Sequence, residues 1–387
     1  MSHVRLRFAG FLAAAALFTL GCANRNAIVP PSPAAPGVGV HMATGGGSHT
    51  CASLFDGRLL CWGDNALGQL GTGNTNSSRT PVGMPPFAWA PPSHPLIVGI
   101  AAGESHTCVI GPGGKIFCVG SNRSGQLGVD SHTDYTTLQP VRMNFLKPDG
   151  SPRAAKMIAA GQRHTCAIYE DGFVGCWGFG STAQPTGVQG IFAEVIAARF
   201  NQTCIIATNR TVACWSAQFG APPAPDVVPG LFGQTAIAVG RSHACSTNGV
   251  IIQCWGTNSS GQIGNGSTVS GPFPPTRVST RSTSRVVDLA AGDLHTCALF
   301  DSGAVECWGS NIVGESGNPT RASVTRTPVQ VIASGATAIA AGAAHSCAAV
   351  VQNGVRRLQC WGANNAGQLG DGTTNNSFSP VLMTGLP

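Results

Sequence analysis

The sequence predicts an all-β fold of the propeller type, and three observations carry that prediction. The stretch Ala290 to Asn311, A-A-G-D-L-H-T-C-A-L-F-D-S-G-A-V-E-C-W-G-S-N, recurs in seven copies along the 387 residues, two cysteines in each. From His49 to His345 the copies advance in six steps of about 49 residues, and strand-and-turn repeats of roughly 40 to 50 residues are blade-sized. Finally, 52 glycines with only 10% charged residues disfavour long helices and suit short strands joined by turns. Hydrophobic residues at 43% supply a core and exclude global disorder.

The chain opens with an address. Arg5 and Arg7 precede the apolar run Phe8 to Leu20, which as a helix rises only about 20 Å, too short to span a bilayer of about 30 Å. Residues 1–21 therefore read as a signal peptide. Its end, Thr19-Leu20-Gly21-Cys22, resembles a bacterial lipobox, with Thr19 where a leucine is usual. That resemblance implies cleavage before Cys22 and its lipidation. Cys22 is also the one cysteine of the fifteen outside the repeats. Ala23 follows it in place of a retaining aspartate, so the expected location is the outer membrane or cell surface of a Gram-negative-type bacterium. Residues 22–37 continue as a Pro/Ala-rich tether, and the repeats occupy 38–387.

The formal charge of +6 falls to +4, 20 basic against 16 acidic residues, once Arg5 and Arg7 are removed. Three lysines and no basic run leave nucleic-acid binding unsupported. No nucleic-acid partner is expected, and the membrane is met only through the anchor.

Repeat one runs from Ala43 to Gly71, and repeat two from Ile100 carries Val119 in place of tryptophan. Repeat three keeps Ile158 to Cys166 and Asp171 to Gly178. Repeat four is the most altered: Arg199 stands for glycine, Gln202 for histidine and Ser216 for glycine. Repeat five recovers with Gly240 to Cys245 and Cys254 to Gly264; repeat six is the opening stretch; repeat seven carries Ala340 to Cys347 and Cys360 to Gly370. Short β-type segments follow, such as Thr80-Pro-Val-Gly-Met and Ser379-Pro-Val-Leu-Met, and predict one further strand per repeat.

In repeat one a hairpin with Phe55-Asp56-Gly57 at its tip sets Cys51 opposite Cys61. A three-residue loop ending in glycine gives that residue the left-handed backbone. Opposed non-hydrogen-bonded residues have Cα atoms about 4.5 Å apart, within reach of a disulfide. With an export signal, one bridge per repeat is expected. Cys51 is to pair with Cys61, Cys108 with Cys118, Cys166 with Cys176 and Cys204 with Cys214. Cys245 is to pair with Cys254, Cys297 with Cys307 and Cys347 with Cys360. Spacings of nine in repeat five and thirteen in repeat seven imply altered turns.

His49, His106, His164, His243, His295 and His345 each lie two residues before the first cysteine. H-x-C is also a metal spacing, but a ligand must be the thiolate, which the disulfide removes. The histidines are thus read as structural, bonding neighbouring backbone. Trp62, Trp177, Trp215, Trp255, Trp308 and Trp361 are read as packing between repeats, and G-Q-L-G as a turn with an apolar plug.

The pattern A-A-G-x-x-H-T-C-A-L…D-x-G-x-V-x-C-W-G-x-N-x-x-G-Q-L-G resembles the repeat of the regulator of chromosome condensation family, over about residues 42–383. With seven copies the resemblance implies a seven-bladed β-propeller; the cysteines, expected from their own pairing to give one disulfide per blade, depart from the family's usual small or apolar residues.

The sequence contains no G-x-S-x-G, H-E-x-x-H, phosphate loop or Asp-rich calcium loop. No catalytic residue, cofactor or metal is expected, and function is sought in the loops. Phe87 and Trp89, in the proline-stiffened Met84 to Pro95, fit either a partner anchor or a cap on the open end of the ring. The second candidate is the insert Val129 to Lys156, with Tyr135, Phe145 and Lys147. The expected function is a monomeric, surface-anchored, non-catalytic module binding an unknown protein partner. An extracellular glycan-binding or hydrolytic propeller is the alternative. A guanine-nucleotide exchange factor ranks below both, because small GTPases are cytoplasmic.

Overall fold

Small residues begin each repeat because the first strands lie side by side round an axis. A Cβ added to Gly45 would stand 2.4 Å from the Gly342 nitrogen of the last repeat. The computed structural model describes residues 39–84, 97–129, 141–143, 146–147, 149–179, 186–217, 224–269 and 271–385. Repeat one forms an antiparallel sheet of four consecutive strands, Val40–Gly45, His49–Leu54, Leu59–Gly63 and Ser78–Gly83. Repeats two, five, six and seven do the same. The expected fourth strands are present, for example Val324–Ile332 and Ser377–Leu382.

The expected seven-bladed propeller is corrected here. The sheets comprise five four-stranded blades and one seven-stranded sheet that serves repeats three and four together. The cause is the 14-residue strand Thr186–Arg199. Its first part pairs with Phe173–Gly178 and its second with Gln202–Ala207, so no connecting loop separates the two repeats. Gly190, at φ 75°, lies where the register shifts between the Gly175–Gly187 and Phe173–Phe192 pairs.

The first strands neighbour one another in a closed circuit, from Val40–Gly45 through each repeat to Ala336–Ala341 and back. Closure uses bonds that recur elsewhere in the ring, as where Thr165 Oγ1 and Trp177 Nε1 donate to Gln126 O. Trp62 Nε1 and Thr50 Oγ1 of repeat one donate to the Gln368 carbonyl of repeat seven at 2.9 and 2.8 Å. The core therefore lies between neighbouring repeats: Met42, Leu59 and Leu70 of repeat one pack on Ile100, Val109 and Val119 of repeat two. The plug residues Leu70, Leu127, Ile263 and Leu369 are fully buried.

The hairpins match their sequence. Cys51 pairs with Cys61 across the ladder, Leu54 N bonds Arg58 O at 2.8 Å, and Gly57 has φ 86°. Repeat seven instead lengthens its hairpin to a two-residue turn with Asn353 and Gly354 both left-handed. Among the described residues no helix is long and apolar enough to cross a membrane.

Candidate functional site at the channel mouth

At one end of the ring the A-A-G-x-x-H loops converge and bond to one another in sequence. Gly47 N donates to Gly103 O at 3.1 Å, Glu104 N to Gly161 O at 3.2 Å and Gln162 N to Phe200 O at 2.7 Å. From repeat five onward, Arg241 N donates to Asp293 O, Asp293 N to Ala343 O and Ala343 N to Gly46 O, at 3.1, 2.9 and 2.9 Å.

Beneath these loops lies a second circuit, made by the histidines. Each Nε2 meets the hydroxyl that follows the histidine position in the next repeat. His49 pairs with Thr107, His106 with Thr165 and His164 with Thr203, at 2.9, 2.9 and 2.7 Å. His243 meets Thr296, His295 meets Ser346, and His345 closes the circuit on Thr50, at 2.9, 2.8 and 2.8 Å. Thr107 in turn donates to Gln69 O at 2.8 Å, so its oxygen accepts from the His49 Nε2–H. The partner is thus a side-chain hydroxyl one repeat away, which corrects the expected bond to neighbouring backbone. A hydrogen bond of this kind contributes about 1 kcal/mol net, and more is lost when one partner is left buried alone.

These histidines explain the glycine three residues before them. A Cβ on Gly46, Gly103, Gly161, Gly240, Gly292 or Gly342 would lie 2.0–2.2 Å from Cε1 of the repeat's own histidine. Side chain and histidine exclude each other, so Arg199 and Gln202 in repeat four form one linked exchange. The acceptor is lost as well, since repeat five has Ala244 where the other repeats have threonine or serine. Among the described residues, neither the histidine bond nor the backbone bond between loops spans the junction of repeats four and five. Apolar packing remains there, with Ile205, Ile206, Ile237, Val239 and Ala244 in one cluster.

Arg199 uses the vacated space to cross the channel. Its Nε bonds Asp293 Oδ1 of repeat six at 2.8 Å, and its Nη2 approaches Gly46 O of repeat one at 3.4 Å. Burial drives the six histidines well below their usual value: His49, His164 and His243 to about 4, and His106, His295 and His345 to about 3. The Arg199 charge adds to the effect at His49, His295 and His345. The rings are neutral at pH 7, with each Nε2 tied to the next repeat and each Nδ1 buried without a hydrogen-bond partner among the described residues. Among the described residues, no group of three or more His, Cys, Asp or Glu is placed to hold a metal.

All seven expected disulfides are formed. Cys51 is bonded to Cys61, Cys108 to Cys118, Cys166 to Cys176 and Cys204 to Cys214. Cys245 is bonded to Cys254, Cys297 to Cys307 and Cys347 to Cys360, and in every pair the Cα atoms are 4.0–4.1 Å apart. These cysteines are scaffold and make no binding surface: Cys118, Cys176 and Cys307, the second members of their pairs, are buried in the cores between repeats. Cys214 alone of the fourteen is not fully buried, covered by an outer strand of only two residues, Asp226–Val227. Limited reduction should therefore open Cys204–Cys214 first. Alkylation and peptide mapping would check this, and equal labelling of all pairs would refute it.

Of the loop candidates, Phe87, Trp89, Tyr135 and Phe145 lie outside the described residues, as does Cys22; Lys147 is exposed. No motif within a single repeat points to the channel mouth, although the substitutions in repeat four mark it.

Comparison with known proteins agrees with this architecture. The regulator of chromosome condensation (RCC1) repeat matches residues 56–110, 113–168, 254–299 and 357–387. A second description of the same repeat matches 40–69, 97–126 and 286–315, and the two together cover more than half of the chain. A secretion-regulating guanine nucleotide exchange factor of Mus musculus is 27% identical over 373 residues, 90% of this chain and 72% of that protein. The ultraviolet-B receptor UVR8 of Arabidopsis thaliana is 27% identical over 351 residues, 89% of this chain and 69% of the receptor. The solved structure of Prp20p from Saccharomyces cerevisiae superposes with TM-score 0.72 at 20% identity, covering 84% of this chain and 85% of that one. With the repeats, their junctions and these likenesses together, the chain belongs to the regulator of chromosome condensation repeat family.

Proposed function

We propose that this chain is a non-catalytic protein-binding propeller, exported and held at the outer membrane or cell surface by a lipid on Cys22. The observation that carries the reading is that the reactive side chains of the repeats are spent within the fold. The six histidines are neutral and paired across junctions, and the fourteen repeat cysteines are oxidised. That leaves recognition to the exposed loops. Seven disulfides also suit an oxidising compartment. Among similar proteins, the Prp20p structure concerns its binding to Gsp1p and histones, which are protein partners. The exchange-factor reading draws on likeness to the secretion-regulating exchange factor and conflicts with the disulfides.

Cross-linking on intact cells, followed by mass spectrometry, is expected to recover a protein bound to the folded domain. If a glycan array retained oligosaccharides while cross-linking captured no protein, the glycan-binding alternative would replace this reading.

A further inference from the structure

Across repeats three to five, one strip of the channel mouth departs from the rest in residue type and in backbone. Phe179 N bonds Arg163 O at 2.9 Å, Gln162 N bonds Phe200 O at 2.7 Å, and the Arg241 guanidinium sits 4.4 Å above the Phe200 ring. These contacts make Phe179, Arg163, Gln162, Phe200 and Arg241 a continuous surface. Arg163 and Arg241 are exposed, and both phenylalanines are half-buried. At the place of Phe179 the other repeats carry Asp64, Ser121, Ala217, Thr257, Ser310 and Ala363. At that of Phe200 they carry Gly47, Glu104, Gln162, Arg241, Asp293 and Ala343.

Both phenylalanines are among the five described non-glycine residues with positive φ, the others being Arg210, Arg321 and Asn353. Phe179 at φ 62° and Phe200 at φ 48° are left-handed, a conformation that costs energy for a bulky side chain. Strain of this kind persists where the surrounding structure over-determines it, and it clusters at ligand-binding and switch sites. The strip also follows the junction at which the histidine, glycine and threonine rules are all suspended.

Resting on the protein-binding reading above, we propose that this strip is the docking site for an acidic, aromatic-bearing peptide segment of a partner protein. Charge complementarity selects that occupant. Among the described residues neither Arg163 nor Arg241 forms an ion pair, and a guanidinium keeps its charge at any working pH. The acid beside Arg241, Asp293, is already held by Arg199. Carboxylates of the segment would pair with the two guanidinium groups, while its apolar or ring side chains pack against the two phenylalanines. A nucleic acid fits less well, because the chain has three lysines in all and no basic run to follow a phosphate backbone.

The test uses fluorescence anisotropy with three labelled probes: a glutamate–tyrosine copolymer, a lysine–tyrosine copolymer and oligothymidylate. The wild-type domain is expected to bind the glutamate–tyrosine probe in preference to the others. Arg163→Glu with Arg241→Glu should weaken it by at least about tenfold. Arg163→Lys with Arg241→Lys should keep most of the affinity, and Arg58→Glu, at a hairpin tip away from the strip, should change nothing. Unfolding midpoints of the variants are compared alongside, so that a folding defect is not read as lost binding. Equal binding by wild type and the charge-reversed pair, preference for oligothymidylate, or an equal loss in Arg58→Glu would each overturn the site. If the charge-reversed pair still cross-linked the cell-surface partner, this site would fall while the protein-binding reading stood. Absence of any cross-linked protein with wild type would remove that reading itself.

Discussion

Acidification from pH 7 to pH 4 is expected to remove most of the protein's stability. In the folded state the six channel histidines titrate near 3 to 4, against 6.5 when free. Above about pH 6.5 they are neutral in both states, and their contribution is fully present. As pH falls, the unfolded chain takes up protons that the folded ring refuses, so stability drops until the folded values are reached. One unit of difference is worth about 1.4 kcal/mol, so each histidine accounts for up to about 3 kcal/mol. Six such terms rival the roughly 5–15 kcal/mol that holds a typical domain together. Denaturant midpoints measured from pH 7.5 downward would show the loss, steepest between about pH 6 and pH 4. A midpoint unchanged between pH 7 and pH 5 would show that the histidines are not buried as described.

The second large effect is expected from adding one methyl group. In Gly342→Ala the new Cβ would sit 2.0 Å from His345 Cε1, and the three nearest atoms all belong to that ring. The ring must swing away, giving up its bond to Thr50 and opening the junction that closes the circuit. Overpacking and a lost buried hydrogen bond together cost about 2–5 kcal/mol. Combining Gly342→Ala with His345→Gln imitates the pair found at Arg199 and Gln202. The double variant should therefore lose clearly less than the sum of its parts. Additive losses in chemical unfolding would mean that glycine and histidine are not sterically linked.

Much of the blade was legible in the sequence because its determinants are local. Asp56-Gly57 sets the turn, the turn sets Cys51 against Cys61, and Leu70 plugs the loop that follows. What joins one blade to the next was legible by half. The threonine of H-T-C stands in plain view, but its histidine lies 58 residues away at His49–Thr107. No local pattern announces such a pairing. The fusion of repeats three and four left a trace, since the same bond at His164–Thr203 spans 39 residues. Repeat four looked merely degraded, because the collision that ties Arg199 to Gln202 exists only in three dimensions.

The missing bonds between repeats four and five also set the mechanics of the whole ring. Six joints carry a histidine bond. The seventh is held by apolar packing, by the Gln234–Arg210 backbone bond at the far end and by Arg241 resting on Phe200. Such a body is expected to behave less as a hoop than as a split washer, opening first under thermal load where the polar ties are missing. Arg199 acts as a spoke across it, fixing the free lip to Asp293 and Gly46 on the far arc. The fold thus keeps one soft joint and braces it from the hub.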